Sequence, residues 1–598
     1  MSATASSTGT VRRVLLIILA ALGGLTLLFF MGMIVIASIV SLTREGVPRT
    51  TVLELDLERG VQEHVPDDPL SAALGDRALT VRDIVDALHR ARDDDRVHAV
   101  VARIGAGGMG FARAEEIRDA VLAFRESGKP AVVFSETFGE FGPGHSGYYL
   151  ATAFERIYLQ PSGDVGLAGL VAEGMFLSGT LDKLDVEPRI EQRYEYKNAA
   201  NTFNETEFTE AHAEATGRVL ESIFENMVSG ISQGREMDQA RVSALIDRGP
   251  FVAGEALQAG LVDRLAYRDE VYDSLRAEFG DRTRFLYAKR YLDRAGRPHR
   301  RGPTVALIYG VGAVVRGDGG FNPLTGTSMA SDRVTRAFRE AIEDDDVTAI
   351  VFRVDSPGGS YVASDAIWRE TVRARDAGKP VIVTMGDVAA SGGYFVAIDA
   401  DRIIAQPSTI TGSIGVLGGK MITTGLWDQV GVSWDELTVG GNATIWSTIS
   451  DYTPEEFART EAILDRIYDD FTGKVAAGRG MTQDDVHEIA RGRIWTGVDA
   501  QRVGLVDDLG GFTTAFFHAR ELTGLEPDAD IRVRVFPERR TLLESLLDRG
   551  PDSSQPTATQ ALARMMVETL QPMAALARRT GLIDPPGALT MPELEIRR

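Results

Sequence analysis

This chain of 598 residues has no cysteine, fewer basic than acidic residues, and few lysines. Cysteine is absent, which excludes disulfide bonds, cysteine nucleophiles and thiolate metal sites. Positive charge is outweighed, since 86 acidic residues face 64 basic ones and give a formal net charge of −22. This balance argues against nucleic acid as a partner. Lysine is the third scarce type, and the chain has seven: Lys129, Lys183, Lys197, Lys289, Lys379, Lys420 and Lys474.

Histidine is also scarce, with eight in the chain, so a Ser-His-Asp triad has few possible bases. None of these histidines lies in a recognisable catalytic motif, and no G-x-S-x-G motif surrounds the best candidate serine. The sequence also has no HExxH motif or carboxylate cluster that indicates a metal site. We therefore expect no metal site.

One segment is far more apolar than the rest of the chain. Residues 14–40 form an uncharged run of 27 residues, long enough to cross a bilayer as a tilted helix. The run is too long for a typical signal-peptide core, although a cleaved signal sequence is the alternative interpretation. Because the short stretch before it carries no domain, residues 1–45 are predicted to form a single-pass membrane anchor. The rest of the chain is then expected on the extracytoplasmic side of the cell membrane.

After this anchor the chain repeats itself. Matching segments follow one order in both halves, at offsets that drift from 250 to 244 residues: 97–103 with 347–353, 128–133 with 378–383, 147–151 with 393–397, and 260–263 with 504–507. The pattern predicts a tandem duplication, with a first repeat over 46–290 and a second over 304–537. A basic linker, 291–303, separates them. The amphipathic C-terminal tail, 538–598, is expected to pack or oligomerise rather than to bind a membrane.

Each repeat alternates short apolar runs, rich in β-branched residues, with longer helical patterns. In the second repeat, strands are predicted at Val305–Tyr309, Val347–Val354, Val381–Met385 and Arg402–Ala405. Helices are predicted at Ala363–Ala377 and Glu455–Ala477, the latter opened by a capping box at Thr453. Continuous apolar strands with helices between them predict an α/β fold with buried, mostly parallel sheets.

Two glycine-rich loops in the second repeat are candidates for chemistry. Residues 355–360 (DSPGGS) follow a predicted strand, and Gly358 and Gly359 could turn backbone N–H groups into a cleft, as an oxyanion hole requires. Residues 389–394 (AASGGY) follow the next strand and place Ser391 where a helix is expected to begin. The alternatives are a structural turn for the first loop and a helix N-cap for Ser391.

The internal repeat helps to separate reactive residues from structural ones. Ser391 corresponds to His145 at an offset of 246 residues, whereas a glycine-rich turn is present in both repeats. A capping role would be needed in both repeats, but a reactive role need occur only once. Ser391 is therefore the candidate nucleophile. The neighbouring Ser146 weakens this contrast if the alignment slips by one residue.

A serine nucleophile needs a base, and lysine is the candidate once histidine is set aside. Lys129 and Lys379 occupy equivalent positions before equivalent strands, which indicates a structural role. Lys420 follows a Gly-Gly turn and is kept as a reserve candidate.

Lys197 differs from the other lysines. It lies among aromatic, small and neutral residues apart from Glu195, and its counterpart in the second repeat is Ala443. The first repeat thus carries the lysine without the serine, and the second carries the serine without the lysine. The alternative interpretation is a solvated surface lysine.

A lysine acts as a base only when its amine is neutral. With an ordinary pKa of ~10.4, less than about 0.1% of the amine is neutral at pH 7, but burial away from acids lowers the pKa by several units. A hydroxyl group could orient the neutral amine without restoring its charge. Ser413 is the candidate for this role, because its counterpart in the first repeat is Leu167. An ordinary turn serine is the alternative.

The motifs YKNAA, SPGG, AASGGY and TGSIG, in this order behind an apolar N-terminal run, resemble those of the long form of signal peptide peptidase A. The similarity spans essentially residues 15–535. The resemblance implies tandem ClpP/crotonase-like domains behind a transmembrane helix, and a membrane-anchored serine endopeptidase with a Ser–Lys dyad. It also implies a homotetramer whose substrates are signal peptides left in the membrane, and it implies no cofactor.

The same resemblance assigns roles to individual residues. It implies that Ser391 is the nucleophile, Lys197 the general base and Ser413 the hydroxyl partner of the lysine. It further implies that Gly358 and Gly359 supply or shape the oxyanion hole.

Two other functions are compatible with this fold class. A CoA-thioester hydratase or isomerase of the crotonase type would use paired backbone N–H groups and would need neither Ser391 nor Lys197. A non-catalytic membrane scaffold would be expected to lose the dyad, but both residues are present.

Overall fold

The computed structural model describes residues 46–65, 79–105, 108–319 and 327–537, with Gly24, Met31–Gly32, Leu589–Thr590 and Glu595–Ile596. The predicted anchor, 14–40, and the C-terminal tail therefore lie almost entirely outside the described residues. Within the described part of the chain, no helix is both long and apolar enough to cross a membrane.

The described residues of the first repeat form twelve short strands, ten α-helices and one 3₁₀ helix at Asn198–Ala200. Its strands are β1 (Thr51–Asp56), β2 (Val61–Gln62), β3 (Leu79–Thr80), β4 (Val97–Arg103), β5 (Ala131–Ser135), β6 (Arg156–Leu159), β7 (Asp164–Val165), β8 (Ala172–Glu173), β9 (Glu187–Gln192), β10 (Phe251–Val252), β11 (Arg264–Leu265) and β12 (Arg284–Tyr287). Its helices are α1 (Val81–Arg92), α2 (Phe111–Arg125), α3 (His145–Ala151), α4 (Ser178–Lys183), α5 (Asn201–Asn204), α6 (Glu210–Arg235), α7 (Gln239–Arg248), α8 (Ala253–Ala259), α9 (Arg268–Phe279) and α10 (Ala288–Ala295).

The second repeat and the described end of the chain continue this numbering. The strands are β13 (Thr304–Val311), β14 (Ala313–Val315), β15 (Ser328–Ala330), β16 (Val347–Ser356), β17 (Gly358–Gly359), β18 (Val381–Ala390), β19 (Arg402–Ala405), β20 (Ile410–Gly412), β21 (Leu417–Ile422), β22 (Ile494–Thr496), β23 (Asp508–Leu509), β24 (Arg532–Phe536), β25 (Leu589–Thr590) and β26 (Glu595–Ile596). The helices are α11 (Ser331–Glu343), α12 (Tyr361–Asp376), α13 (Gly392–Phe395), α14 (Thr424–Gln429), α15 (Pro454–Arg479), α16 (Gln483–Ile489), α17 (Gly497–Arg502) and α18 (Phe512–Leu522).

The core of each repeat is a parallel sheet, and the two sheets share one strand order. In the first repeat the order is β11-β6-β5-β4-β1-β12, with every pairing parallel. In the second repeat the corresponding parallel order is β23-β19-β18-β16-β13-β24. The predicted α/β fold with mostly parallel sheets is therefore confirmed.

One difference between the two sheets positions the candidate serine. β18 has ten residues, and its last three pair with β20, so the strand continues directly to Ser391. Its counterpart β5 has five residues and ends at Ser135, and β7 pairs with β10 as a separate two-stranded sheet.

Both predicted helices of the second repeat are present, with small shifts at their ends. α12 covers Tyr361–Asp376, and α15 covers Pro454–Arg479. The predicted capping box is also present, because the Thr453 side chain accepts a hydrogen bond from the backbone N–H of Glu456 and the Glu456 carboxylate accepts one from Thr453. This arrangement satisfies donors that a helix N-terminus otherwise leaves without partners.

Equivalent lysines donate hydrogen bonds to backbone carbonyls near equivalent helix ends in the two repeats. Lys129 Nζ donates to the carbonyl of Ala91 at 2.9 Å, and Lys379 Nζ donates to that of Ala341 at 2.9 Å. The acceptors are carbonyls near the ends of α1 and α11, where cations and donors are stabilising. The structural role predicted for these two lysines is confirmed.

A buried ionic cluster joins the repeats. Arg353 on β16 is fully buried and donates to Glu63 at 2.9 Å and to Glu116 at 2.8 Å, both in the first repeat. Its guanidinium also lies 4.7 Å from the ring centroid of Phe512. Both carboxylates are almost fully buried and share this guanidinium, and Glu116 also accepts a hydrogen bond from the Phe512 N–H at 2.7 Å.

Replacing Arg353 with methionine is expected to lower the free energy of unfolding by about 3–5 kcal/mol, because two buried carboxylates lose their counter-charge. Chemical denaturation measures the change. The control is Arg375→Met, which breaks a half-exposed pair with Asp401 and should cost about 0–1 kcal/mol. Equal changes in the two variants would show that the buried cluster at Arg353 stabilises the fold no more than a half-exposed ion pair does.

Candidate active site

Ser391 lies at a sharp turn between β18 and α13. Its backbone has φ 55° and ψ −115°, and its N–H donates to the carbonyl of Gly412 at 2.8 Å. A non-glycine residue at positive φ is strained, and such strain is typical of residues whose side chain must be presented for reaction. The Ser391 side chain makes no capping hydrogen bond to α13, which is a single turn. Ser391 therefore occupies the N-cap position of α13, but its side chain does not cap the helix.

The two glycines after Ser391 are required by close packing. An alanine Cβ at Gly392 would lie 2.6 Å from the Ser364 hydroxyl, and one at Gly393 would lie 2.5 Å from the Ser356 carbonyl oxygen. The turn can therefore approach the SPGG loop only with glycine at both positions.

Lys197 reaches the second repeat through an intramolecular strand pair. β9 of the first repeat runs antiparallel to β21 of the second, with Gln192 opposite Leu417. The chain then continues along the second repeat, where the Arg193 N–H donates to the backbone carbonyl of Val416 and the Tyr196 N–H donates to that of Arg491. This backbone ladder carries the lysine across the boundary between the repeats.

The structure brings Lys197, Ser391 and Ser413 together. Lys197 Nζ lies 2.7 Å from Ser391 Oγ and 3.1 Å from Ser413 Oγ, and it donates to the Ser413 carbonyl at 2.9 Å. All three residues are fully buried, and Ser413 itself has φ 52°. The first repeat thus supplies the amine, and the second supplies the hydroxyl that it faces.

Burial sets the charge of this amine. Removal from water lowers the pKa of Lys197 well below its ordinary value of 10.5. The nearest acid in the sequence, Glu195, pairs instead with Arg491 at 3.0 Å. The surroundings therefore favour the neutral amine, and the interpretation of Lys197 as a solvated surface lysine is wrong.

Two glycines of the second repeat pack against Lys197, a contact that no sequence motif indicates. An alanine Cβ at Gly492 would lie 2.5 Å from the Lys197 Cα, and one at Gly415 would lie 3.2 Å from its Cδ. Gly492 also has φ +87°, a value that glycine adopts without strain.

Replacing Gly492 with alanine is expected to displace the Lys197 backbone and to lower kcat by about 10²-fold or more, because misplacement by about 1 Å has an effect of this size. Steady-state peptidase assays measure the loss. Gly473→Ala is the matched control, since the methyl group it adds within α15 would make only an ordinary contact, 4.0 Å from the side-chain nitrogen of Gln483. Full activity in the Gly492 variant would show that the lysine tolerates the shift.

The predicted oxyanion glycines lie beside the serine. An alanine Cβ at Gly392 would be 3.1 Å from the Gly359 backbone nitrogen and 3.2 Å from the Gly358 Cα. The Gly358 N–H donates to the Ser356 hydroxyl at 3.2 Å. Gly358 and Gly359 also form β17, which pairs with β14. The loop is thus a short strand held against the turn that carries Ser391.

Asp355 fixes this loop, although no sequence motif marks it as a functional residue. Its carboxylate accepts a hydrogen bond from the Val388 N–H at 3.0 Å, which ties the start of the SPGG loop to β18. Burial, reinforced by the charges of Glu63 and Asp387, raises the pKa of the Asp355 carboxyl to about 7. The feature of the sequence that could have pointed to Asp355 is its position directly before a glycine-rich loop.

The reserve candidate, Lys420, has other partners. Its amine donates to the Thr444 carbonyl at 3.1 Å and lies 4.2 Å from the ring centroid of Tyr452.

Among the residues that the structure describes, no group of three or more histidine, aspartate and glutamate side chains could hold a metal ion.

Comparison with known proteins identifies the class to which this site belongs. The model for peptidase family S49 matches the chain twice, over residues 123–280 and 373–526. One match falls in each half, which confirms the predicted duplication, and together they cover about half of the chain. The protein is a serine peptidase. It belongs to peptidase family S49.

Similar proteins extend over most of the chain. Protease 4 of Salmonella typhi is 32% identical over 515 residues, which cover 83% of this chain and 80% of that protein. Protease 4 of Haemophilus influenzae is 30% identical over 81% of this chain and 78% of its own. The chloroplastic serine protease SPPA of Arabidopsis thaliana is 29% identical over 83% of this chain and 73% of its own. These matches agree with the resemblance to the long form of signal peptide peptidase A.

Proposed function

We propose that the protein is a membrane-anchored endopeptidase that uses Ser391 as nucleophile and Lys197 as general base. The observation that carries the proposal is the 2.7 Å separation of Lys197 Nζ and Ser391 Oγ in a fully buried site. A nucleophile within hydrogen-bond reach of a base, with a third group orienting the base, is the arrangement required for covalent catalysis by serine.

The first half of the reaction is acylation. Neutral Lys197 takes the proton of Ser391 while the serine oxygen attacks the peptide carbonyl and forms a tetrahedral intermediate. As this intermediate collapses, the C–N bond breaks and the lysine ammonium gives the proton to the leaving amine. The product is an ester between Ser391 and the N-terminal part of the substrate.

The second half is deacylation. Lys197, neutral again, takes a proton from water, and the resulting hydroxide attacks the ester carbonyl. The ester C–O bond breaks, Ser391 regains its proton from the lysine, and the acid product leaves. Backbone N–H groups of the loop at Gly358 and Gly359 are assigned to the oxyanion in both steps. Ser413 is assigned to orientation of the amine through its hydroxyl and its carbonyl.

The proposed base predicts the direction of the pH dependence. kcat/KM should rise with pH through the lowered pKa of Lys197 and then level off, because the deprotonated amine is the active form. Between that pKa and 10.5 the unfolded chain binds more protons than the folded one, so the free energy of unfolding should also rise with pH. A pH–rate profile and pH-dependent denaturation measure both effects. In the Lys197→Met variant the free energy of unfolding should rise less steeply with pH. An unchanged slope would contradict the statement that burial lowers the pKa of Lys197.

The substrates are proposed to be extended apolar peptides, including signal peptides left in the membrane after cleavage. The apolar run at 14–40 supports a membrane anchor, with the catalytic part on the extracytoplasmic side. ClpP/crotonase-like repeats and a homotetramer complete the proposal, and both rest on the resemblance to the long form of the family. Membership in a peptidase family argues against a CoA-thioester hydratase, which would have no use for Lys197.

Fluorophosphonate labelling of the full chain in detergent, combined with casein hydrolysis, tests the proposal. Wild-type protein is expected to be labelled at Ser391 and to degrade casein. Label on another residue, or hydrolysis that is the same without Ser391, would overturn the assignment.

A further inference from the structure

One helix of the first repeat begins without a capping side chain of its own. α2 starts after Gly110, which has no side chain to accept a hydrogen bond from the first turn. The equivalent helix of the second repeat, α12, starts after Ser360, whose hydroxyl accepts a hydrogen bond from the Ala363 N–H at 3.4 Å. Gly110 and Ser360 correspond at an offset of 250 residues. The first repeat thus lacks the cap that the second repeat has at this position.

The second repeat supplies the cap of α2. The Asp387 carboxylate accepts a hydrogen bond at 3.2 Å from the N–H of Arg113, the third residue of the helix, and it also pairs with the Arg113 guanidinium. A carboxylate at this place satisfies a donor that the helix N-terminus leaves open, and the helix dipole favours its charge. A Cβ atom at Gly110 would overlap the carboxylate. Glycine at the N-cap is therefore what admits Asp387.

Asp387 lies where the strand that carries Ser391 changes its partner. Residues 382–384 of β18 pair with β19, and residues 388–390 pair with β20. The position of Asp387 therefore sets the direction in which the last three residues of β18 run toward Ser391.

The same place is a bulge against β16. Met385 lies opposite Val354 and Ala389 lies opposite Ser356, so three residues of β18 face one residue of β16. A bulge interrupts the ladder, bends the strand and re-aims the side chains that follow it. Because strand pairing is interrupted here, the bend depends on other contacts, and the bond to α2 is one of them.

We propose that Asp387 is a positioning residue for the nucleophile, which fixes the bend of β18 by capping α2 of the first repeat. The inference rests on the proposed function of Ser391 and adds a second way, besides Lys197, in which the first repeat contributes to catalysis. Asp387 acts through the backbone of residues 388–390 and not through contact with the substrate.

Asp387→Ala tests the inference in the full chain in detergent. Without the bond to α2 the bend should shift, and kcat for a fluorogenic peptide should fall by about 10–10²-fold, since a misplacement of about 1 Å has an effect up to this size. The rate of fluorophosphonate labelling at Ser391 should fall by about the same factor, while KM stays within about threefold. Asp387→Asn should lose less than alanine, because its amide oxygen still accepts a hydrogen bond from the Arg113 N–H.

Asp238→Ala is the matched control. Asp238 caps α7 by accepting a hydrogen bond from the Arg241 N–H at 2.8 Å. Because this cap joins residues of one helix and not the two repeats, its loss should leave kcat and the labelling rate within about twofold. A loss of kcat equal to that of Asp387→Ala would overturn the inference.

A double variant separates the helix from the bend. Gly110→Ser with Asp387→Ala gives α2 a cap of the Ser360 type, in the space that the carboxylate leaves. Tm should rise above that of Asp387→Ala, but kcat should stay low, because β18 is still not bound to α2. Recovery of kcat together with Tm would overturn the inference, since the loss would then come from the helix alone.

The outcomes also separate this inference from the proposed function. If Ser391→Ala is inactive but Asp387→Ala keeps the wild-type kcat and labelling rate, the inference fails and the proposed function stands. If Ser391→Ala retains hydrolysis, the proposed function itself fails.

Discussion

Replacing Ser391 with alanine is expected to lower kcat by about 10⁴-fold or more, because no other group can form the acyl ester. The fold should persist, since the Oγ makes no capping bond to α13 and the turn is held by the bond from the Ser391 N–H to Gly412. Hydrolysis of a fluorogenic peptide by the full chain in detergent measures the loss, and circular dichroism checks the fold.

Ser146→Ala is the matched control for this variant. Ser146 is buried in the first repeat, one residue from the counterpart of Ser391. Its removal should leave kcat unchanged, because the counterpart of Lys197 in the second repeat is Ala443, which cannot act as a base. Comparable losses in the two variants would mean that packing, rather than the nucleophile, explains the effect.

Removing the base is expected to have the second largest effect. Lys197→Ala should lower kcat by about 10²–10⁴-fold, the range that a positioned general base contributes. Lys197→Arg should be no better, because a guanidinium stays protonated and cannot accept the proton of Ser391. KM should change little in both variants, since the lysine acts on the serine rather than on the bound peptide.

Lys420→Ala is the control for the lysine. Its amine is held by the Thr444 carbonyl and the ring of Tyr452, and its loss should leave kcat within about twofold. Activity that persists without Lys197 but disappears without Lys420 would transfer the base to Lys420.

Comparison of the two repeats made much of the site predictable. Ser391 was distinguished because His145 takes its place in the first repeat, and Lys197 because Ala443 takes its place in the second. Such asymmetry is visible in a single sequence, since each repeat serves as a reference for the other. The parallel order of the sheets was predictable as well, because buried strands are continuously apolar.

Other parts of the site were not predictable, because they depend on backbone geometry between distant segments. The Ser413 carbonyl faces Lys197 only because Ser413 adopts φ 52°. The contact between Gly492 and Lys197 joins residues almost 300 positions apart. Local patterns carry no information on such contacts, nor on the register that sets Gln192 opposite Leu417.

The ladder between β9 and β21 has a consequence for how this protein can evolve. In the proposed mechanism neither repeat has both the amine and the hydroxyl, so activity is expected to require both repeats. A substitution in either strand that shifts their register would move Lys197 relative to Ser391, even though neither strand takes part in the chemistry. Residues along this ladder are therefore expected to show epistasis, with harmful changes in β9 rescued by compensating changes in β21.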